Sequence, residues 1–130
     1  MASVLLDTTV LIDALRGRPA AQRLRGLRDR GDEPCVCAVN VEEVVRGLRP
    51  HEEEKARRLI AGLREMPLGD AEGWRAGEWR GEYAAGGVTL TQADCLVAAA
   101  ALSAGGRLAT GNPRDFPMPE LTIEHWPAGD

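Results

Sequence analysis

Three short apolar runs, each halted by a polar residue, constrain this chain more than any other feature. Val4-Leu5-Leu6 stops at Asp7, where Thr8 and Thr9 can cap a helix that Val10 to Leu15 continue as far as Arg16-Gly17. Pro34 to Val39 reads as a second strand. Asn40 reads as the N-cap after it, with Glu43 three residues on and a short helix to Gly47. Leu108-Ala109-Thr110 is the third run. A long alanine-rich helix precedes it, capped by Thr91 and ended by Gly105-Gly106, with Ala93, Val97, Ala100, Ala101 and Ala104 on its buried face. Leu121 to His125 is a last strand candidate. Strands alternating with helices predict an α/β three-layer sandwich, a mostly parallel central sheet flanked by helices.

The remaining segments read as helices. Pro19 suits a first turn, and Ala20, Leu24 and Leu27 follow near helical spacing. Residues 52–65 form the clearest amphipathic helix, with Ala56, Leu59, Ile60 and Leu63 on one face. Asp70 to Ala85 reads as a helix of poor propensity, because Gly69, Gly73, Gly77 and Gly81 make a bare stripe. Each interior Gly costs roughly 1 kcal/mol against Ala, which close packing or a partner can offset. A partner is therefore expected to bury an apolar groove on this helix, using Trp74, Trp79 and Tyr83. No linker interrupts the pattern, so residues 1–130 are expected to form one domain.

Composition narrows the chemistry. Of the 16 Lys and Arg residues, Lys55 is the one lysine. Six arginines fall between Arg16 and Arg30 against Asp29 alone, a patch that is either a solvated helix face or a polyanion contact. Three cysteines and two histidines offer no zinc spacing, and Cys35 and Cys37 read as strand core in a reducing compartment. Asp7 and Asp13 interrupt the N-terminal apolar run and no basic flank precedes it, unlike a secretory signal. Tyr83 to Gly106 carries one charge, Asp94, yet Gly, Thr and Gln dilute it too far for a membrane span. The expected location is the cytoplasm, with no membrane partner.

In parallel sheets, ligands gather outside the carboxyl ends of the strands. Asp7 ends the first strand and Glu43 lies in the helix after the second. Asn112 and Asp115 follow the Leu108–Thr110 strand, and Asp94 opens the helix before it. Four acids from distant segments can thus converge on one edge. Such a group repels itself unless a cation joins it, and hard oxygen donors favour Mg²⁺ or Mn²⁺, ions that activate water in phosphodiester cleavage. Each acid also has a plain alternative. Asp7 can cap a turn, Glu43 can pair with Asn40 and Asp94 with Thr91 in capping boxes, and Asp115 can cap a turn after Pro113. Asp13 is read as a solvated helix residue. Other phosphate enzymes fit poorly. There is no Gly-x-x-x-x-Gly-Lys loop, and Thr9 stands where a haloacid-dehalogenase-type phosphatase has a second Asp. Lys55 is misplaced for that family's late lysine, and neither histidine flanks a nucleophile.

These residues carry a resemblance. Leu5-Leu6-Asp7-Thr8-Thr9-Val10-Leu11-Ile12 resembles the opening of a PIN domain, and Glu43-Val44-Val45-Arg46-Gly47 its Glu-Leu-x-x-Gly segment. Asp94 with Ala98-Ala99 resembles its third-acid helix, and Thr110-Gly111-Asn112-Pro113-Arg114-Asp115-Phe116 its Thr-x-Asn-x-x-Asp-Phe segment. Order and spacing are similar to VapC-type toxins of bacterial toxin–antitoxin pairs across essentially the whole chain. The resemblance implies a PIN-like fold and a Mg²⁺- or Mn²⁺-dependent endoribonuclease, usually a homodimer, held inactive by a VapB-type antitoxin. It also implies Asp7, Glu43, Asp94 and Asp115 as the catalytic, metal-holding quartet. Thr8, Thr110 and Asn112 would support them or touch the RNA substrate. Thr9 stands where Ser is commoner, Val44 where Leu is, and Gly111 where a basic residue is frequent. A housekeeping PIN nuclease and a non-catalytic PIN-like binding module are the alternatives.

Overall fold

The computed structural model describes residues 2–129. In chain order the elements are β1 (Ser3–Leu6), α1 (Thr8–Leu15), α2 (Pro19–Asp29), β2 (Glu33–Cys37), α3 (Ala38–Arg46), α4 (Glu53–Ala61), β3 (Arg64–Met66), α5 (Asp70–Ala85), α6 (Gln92–Ser103), β4 (Arg107–Thr110), a 3-10 turn (Pro113–Asp115) and β5 (Thr122–His125). The sheet order is β3-β2-β1-β4-β5, and each described ladder is parallel.

Parallel strands buried on both faces alternate their side chains between two cores. Leu5, Cys35, Cys37 and Leu108 point to one side, packing with Trp79 of α5 and Cys95, Val97 and Ala98 of α6. Val4, Leu6, Val36 and Ala109 point to the other, against Val10, Leu11, Leu24, Leu27 and Val44 of α1 to α3. This makes three layers, as expected from the sequence. The order also sets where a site can form. From β1 the chain winds outward through β2 and β3, then returns to place β4 on β1's other side. A crevice opens at the carboxyl ends where the winding reverses, and here those ends are Asp7 and Thr110.

Several elements differ from expectation. Residues 52–65 are not one helix: α4 stops at Ala61, with Gly62 as its C-cap, and Arg64–Met66 pair with Cys35–Cys37 at the sheet edge. An edge strand with only Met66 buried shows no alternation to read. Strand β2 ends at Cys37, which is the N-cap of α3, so Asn40 lies inside the first turn. Asp13 is buried rather than solvated, at 3% exposure. It accepts from the Ala20 N–H at 3.3 Å and the Gly129 N–H at 3.4 Å, with Arg18 at 3.8 Å.

On the glycine-bearing helix the structure removes one of the two offsets that the sequence allows. A Cβ at Gly73, Gly77 or Gly81 would meet nothing within 4 Å, so close packing within this chain does not explain the stripe. Trp79 is core, Tyr83 donates to the Pro117 carbonyl at 3.1 Å, and Trp74 is exposed. An apolar groove of about 430 Å³ lies elsewhere, between α3 and α4, lined by Val41, Val45, Leu48, Ala56 and Ile60. Among the described residues no helix is long and apolar enough to cross a membrane.

Candidate functional site

The crevice beside β1 and β4 is an open cleft of about 280 Å³, and the structure brings the four sequence-predicted acids to it. Asp7, Glu43, Asp94 and Asp115 line it with Thr8, Thr9, Ile12, Arg46, Gly47 and Asn112. Thr110 lies beneath, fully buried. Each acid arrives by a different local device.

Asp7 is the N-cap of α1, with extended backbone at φ −70°, ψ 160°. Its Oδ1 accepts from the Thr8 N–H at 2.8 Å, and its Oδ2 accepts from the Thr110 hydroxyl at 2.8 Å. Asp7 therefore caps a helix and faces the cleft at once. It is 7% exposed. Burial pushes its carboxyl above the usual aspartate range. The Thr110 and Thr8 hydrogen bonds oppose that shift, while the charges of Glu43 and Asp115 reinforce it.

Glu43 sits one turn into α3, but the expected capping partnership with Asn40 does not exist. Asn40 instead bonds back to Cys37, its Oδ1 accepting from the Cys37 N–H at 3.2 Å. That frees Glu43, whose Oε1 accepts from the Thr8 hydroxyl at 2.6 Å. Asp94 stands in the first turn of α6, half-buried, where Thr91 Oγ1 accepts from its N–H at 3.1 Å. Burial raises its carboxyl too, Thr91 opposes, and Asp115, Asp7 and Glu43 add to the rise. Asp115 ends the 3-10 turn and is exposed. Its N–H reaches the Asn112 carbonyl at 3.1 Å, and buried Phe116 anchors the turn.

The Thr110 segment is stitched to the opening of α1. Thr110 Oγ1 accepts from the Asn112 N–H at 3.0 Å, and Thr9 Oγ1 accepts from the Gly111 N–H at 3.0 Å. A Cβ on Gly111 would stand 3.2 Å from Thr9 Oγ1 and 3.3 Å from the Trp126 carbonyl. A side chain at this position would need Thr9 or the Trp126 backbone to give by a few tenths of an ångström, so the segment is tightly fitted around glycine.

Two site features escaped the sequence reading. Buried Asn40 donates from Nδ2 to Thr8 Oγ1 at 3.2 Å. Its signal was a polar residue between Val39 and Val41, three before Glu43. Arg46 also lines the cleft, and neither it nor Arg114 has an ion-pair partner among the described residues. Most arginines of the Arg16–Arg30 patch are engaged internally. Arg16 holds Glu52 and Arg18 lies by Asp13. Arg23 donates to the Pro127 carbonyl, Arg28 to the Gly62 carbonyl and Arg30 to Asp32 and Glu124.

Chemically, the cleft offers carboxylate oxygens of four side chains, with neutral hydroxyl and amide groups beside them. Among the described residues, no three His, Cys, Asp or Glu side chains already form a set that could hold a metal ion. Burial lifts Asp7 and Asp94, and the charges of the neighbouring acids add to the rise. A hard cation would relieve that added repulsion, so the donor set fits Mg²⁺ or Mn²⁺ in kind.

Comparison with known proteins matches this architecture. The PIN domain family model covers residues 4–118. Ribonuclease VapC10 of Mycobacterium tuberculosis is 34% identical over 116 residues, covering 88% of this chain and 86% of that protein. The fold is shared with VapBC2 from Rickettsia felis, solved bound to a DNA fragment from its promoter (TM-score 0.83, 20% identity, 95% of this chain and 98% of that one). It is also shared with DNA-bound VapBC from Salmonella typhimurium (TM-score 0.80, 24% identity, 97% and 99%). The chain belongs to the PIN-domain family, alongside the VapC ribonucleases.

Proposed function

We propose that this protein is an endoribonuclease toxin that cleaves phosphodiester bonds in RNA with Mg²⁺ or Mn²⁺, and that a VapB-type antitoxin neutralises it. The observation that carries the reading is the meeting of Asp7, Glu43, Asp94 and Asp115 in one cleft. They come from four distant segments, and, on top of burial, the charges of neighbouring acids raise the carboxyls of Asp7 and Asp94. A binding module has no use for that self-repulsion. Likeness to a VapC ribonuclease and to VapBC complexes supports the substrate class and the partner. A homodimer and a cytoplasmic setting are part of the same proposal.

The four carboxylates would hold the divalent cation, which when bound supplies an activated water and neutralises charge on the scissile phosphate. Asp7 is fixed at both oxygens, so its direction into the cleft is set before any ion arrives. Thr110 orients Asp7, and Thr8 orients Glu43. Asn112 is exposed at the rim beside Asp115, where its amide can touch ribose or phosphate. Arg46 in the cleft and Arg114 in the adjoining pocket, without ion-pair partners among the described residues, can offer their guanidinium groups to RNA phosphates. The test is to express the chain without its antitoxin and map new RNA ends. Cleavage at defined positions by wild type and none by Asp7→Ala supports the reading; equal RNA profiles at equal protein levels reject it.

A further inference from the structure

An asparagine buried without water must place both ends of its amide against protein groups. Asn40 has none of its surface exposed. Its Oδ1 receives the Cys37 N–H at 3.2 Å and the Cys37 thiol at 3.1 Å. A backbone N–H can only donate, so this contact decides which end of the amide is oxygen. The nitrogen end therefore faces Thr8 and donates to Oγ1 at 3.2 Å. A hydroxyl has one proton. With the Asn40 N–H on a lone pair of Thr8 Oγ1, that proton is directed to Glu43 Oε1, 2.6 Å away. The separation lies within the ordinary range of an O–H···O hydrogen bond.

We propose that Asn40 is a positioning residue for the acid cleft: by setting the direction of the Thr8 hydroxyl it holds one oxygen of Glu43 and leaves the other to the cleft. The chain of donors runs one way, from Cys37 through Asn40 and Thr8 to Glu43. Neither end of the amide can turn over without facing one donor with another. The inference rests on the nuclease reading above, because Glu43 matters only if the cleft is the site. The competing account is that Asn40 merely closes the first turn of α3 through its contact with the Cys37 N–H.

The test compares wild type, Thr8→Val, Thr8→Ser, Asn40→Ala and the Thr8→Val/Asn40→Ala double variant. RNA cleavage is read as kcat and KM, and melts are run with and without Mn²⁺. Outer groups that orient ligands cost about 10–100-fold when removed. Asn40→Ala and Thr8→Val should each lower kcat by about tenfold with KM little changed, and each should shrink the rise in Tm that Mn²⁺ gives. The double variant should be no worse than the poorer single, and Thr8→Ser, which retains the hydroxyl, should recover most of the activity and Mn²⁺ response that Thr8→Val loses. If Asn40→Ala does not fold, Asn40→Ser replaces it: its hydroxyl can still accept from the Cys37 N–H but is too short to reach Thr8 as well. A cap-only role predicts that Asn40→Ala lowers Tm with unchanged kcat and Mn²⁺ response, in the wild-type and Thr8→Val backgrounds alike. Losses in kcat that appear in both single variants and multiply in the double mean that the two residues act independently, and either result overturns the proposal. Should wild type neither cleave RNA nor respond to Mn²⁺, the nuclease reading fails instead. The relay is then judged on melts of the metal-free proteins, where additive losses in Tm reject it and non-additive losses sustain it.

Discussion

Helix α1 carries a buried aspartate at each end, and the two are built in opposite ways. Asp13 is closed: the N–H groups of Ala20 and Gly129 and the guanidinium of Arg18 surround it, joining α1 to α2 and to the C-terminal segment. Asp7 is open: hydroxyl and N–H donors hold it, and its charged neighbours are acids. Burying a carboxylate costs stability unless it is paired. A structural aspartate therefore gathers its own cation from the chain, while one left among other carboxylates is prepared for a cation from outside.

The comparison makes its largest claim about activity. Asp7→Asn keeps the oxygen that caps α1 but loses the charge, and should lower RNA cleavage by at least about 100-fold. It should leave the metal-free protein no less stable at neutral pH. Asp13→Asn should do the reverse, lowering stability by about 1–3 kcal/mol as buried N–H groups lose an acceptor of full charge, with cleavage kept well below the melting temperature. Side-by-side urea titrations and RNA cleavage assays settle both. If both substitutions cost stability and neither costs cleavage, the distinction collapses.

A smaller effect is a dependence on pH. Asp94 is raised by burial and by neighbouring acids, so its folded form takes up a proton more readily than the unfolded chain. A raised carboxyl contributes stability that is complete below the unfolded value, about 3.9. That contribution is lost as pH rises through the folded value. Asp94→Asn removes the loss, so metal-free variant and wild type should match in acid. The variant should be the more stable at pH 7 by on the order of 0.5 kcal/mol. Melts across that range would show the gap opening with pH; a gap that closes instead means the acids do not repel. The smallest effect belongs to Arg46, where Arg46→Ala should raise KM for RNA and reduce the salt dependence of binding by about 0.7 in log–log slope. Filter binding at several salt concentrations measures it.

Asp7 and Thr110 were legible because each ends a short apolar run and is followed by a turn signal. The sheet order confirms why strand ends matter, since β1 and β4 meet where the winding reverses. Asp13 was not legible. Its partners begin at α2 and near the far end of the chain, and only the apolar run on either side of it (Val10, Leu11, Ala14, Leu15) hinted that it must be buried. Asn40 was misplaced by one turn because asparagine is a strong N-cap former, whereas the actual cap, Cys37, is not. The same misplacement hid Glu43's freedom from capping. Strand β3 has no apolar alternation and exists because β2 offers it an edge.

The central claim is that the open aspartate and its neighbours bind a divalent cation, and Glu43 tests it most directly. Glutamine keeps a side-chain oxygen that can accept from the Thr8 hydroxyl, so Glu43→Gln isolates the charge. The measurement is the thermal melt of wild type and Glu43→Gln with increasing Mn²⁺, since a ligand stabilises the folded state only as far as it binds it. The account predicts that wild type gains several degrees in Tm, that Glu43→Gln gains much less, and that RNA cleavage falls with the lost shift. An equal Mn²⁺ shift and equal cleavage in the two proteins would contradict it.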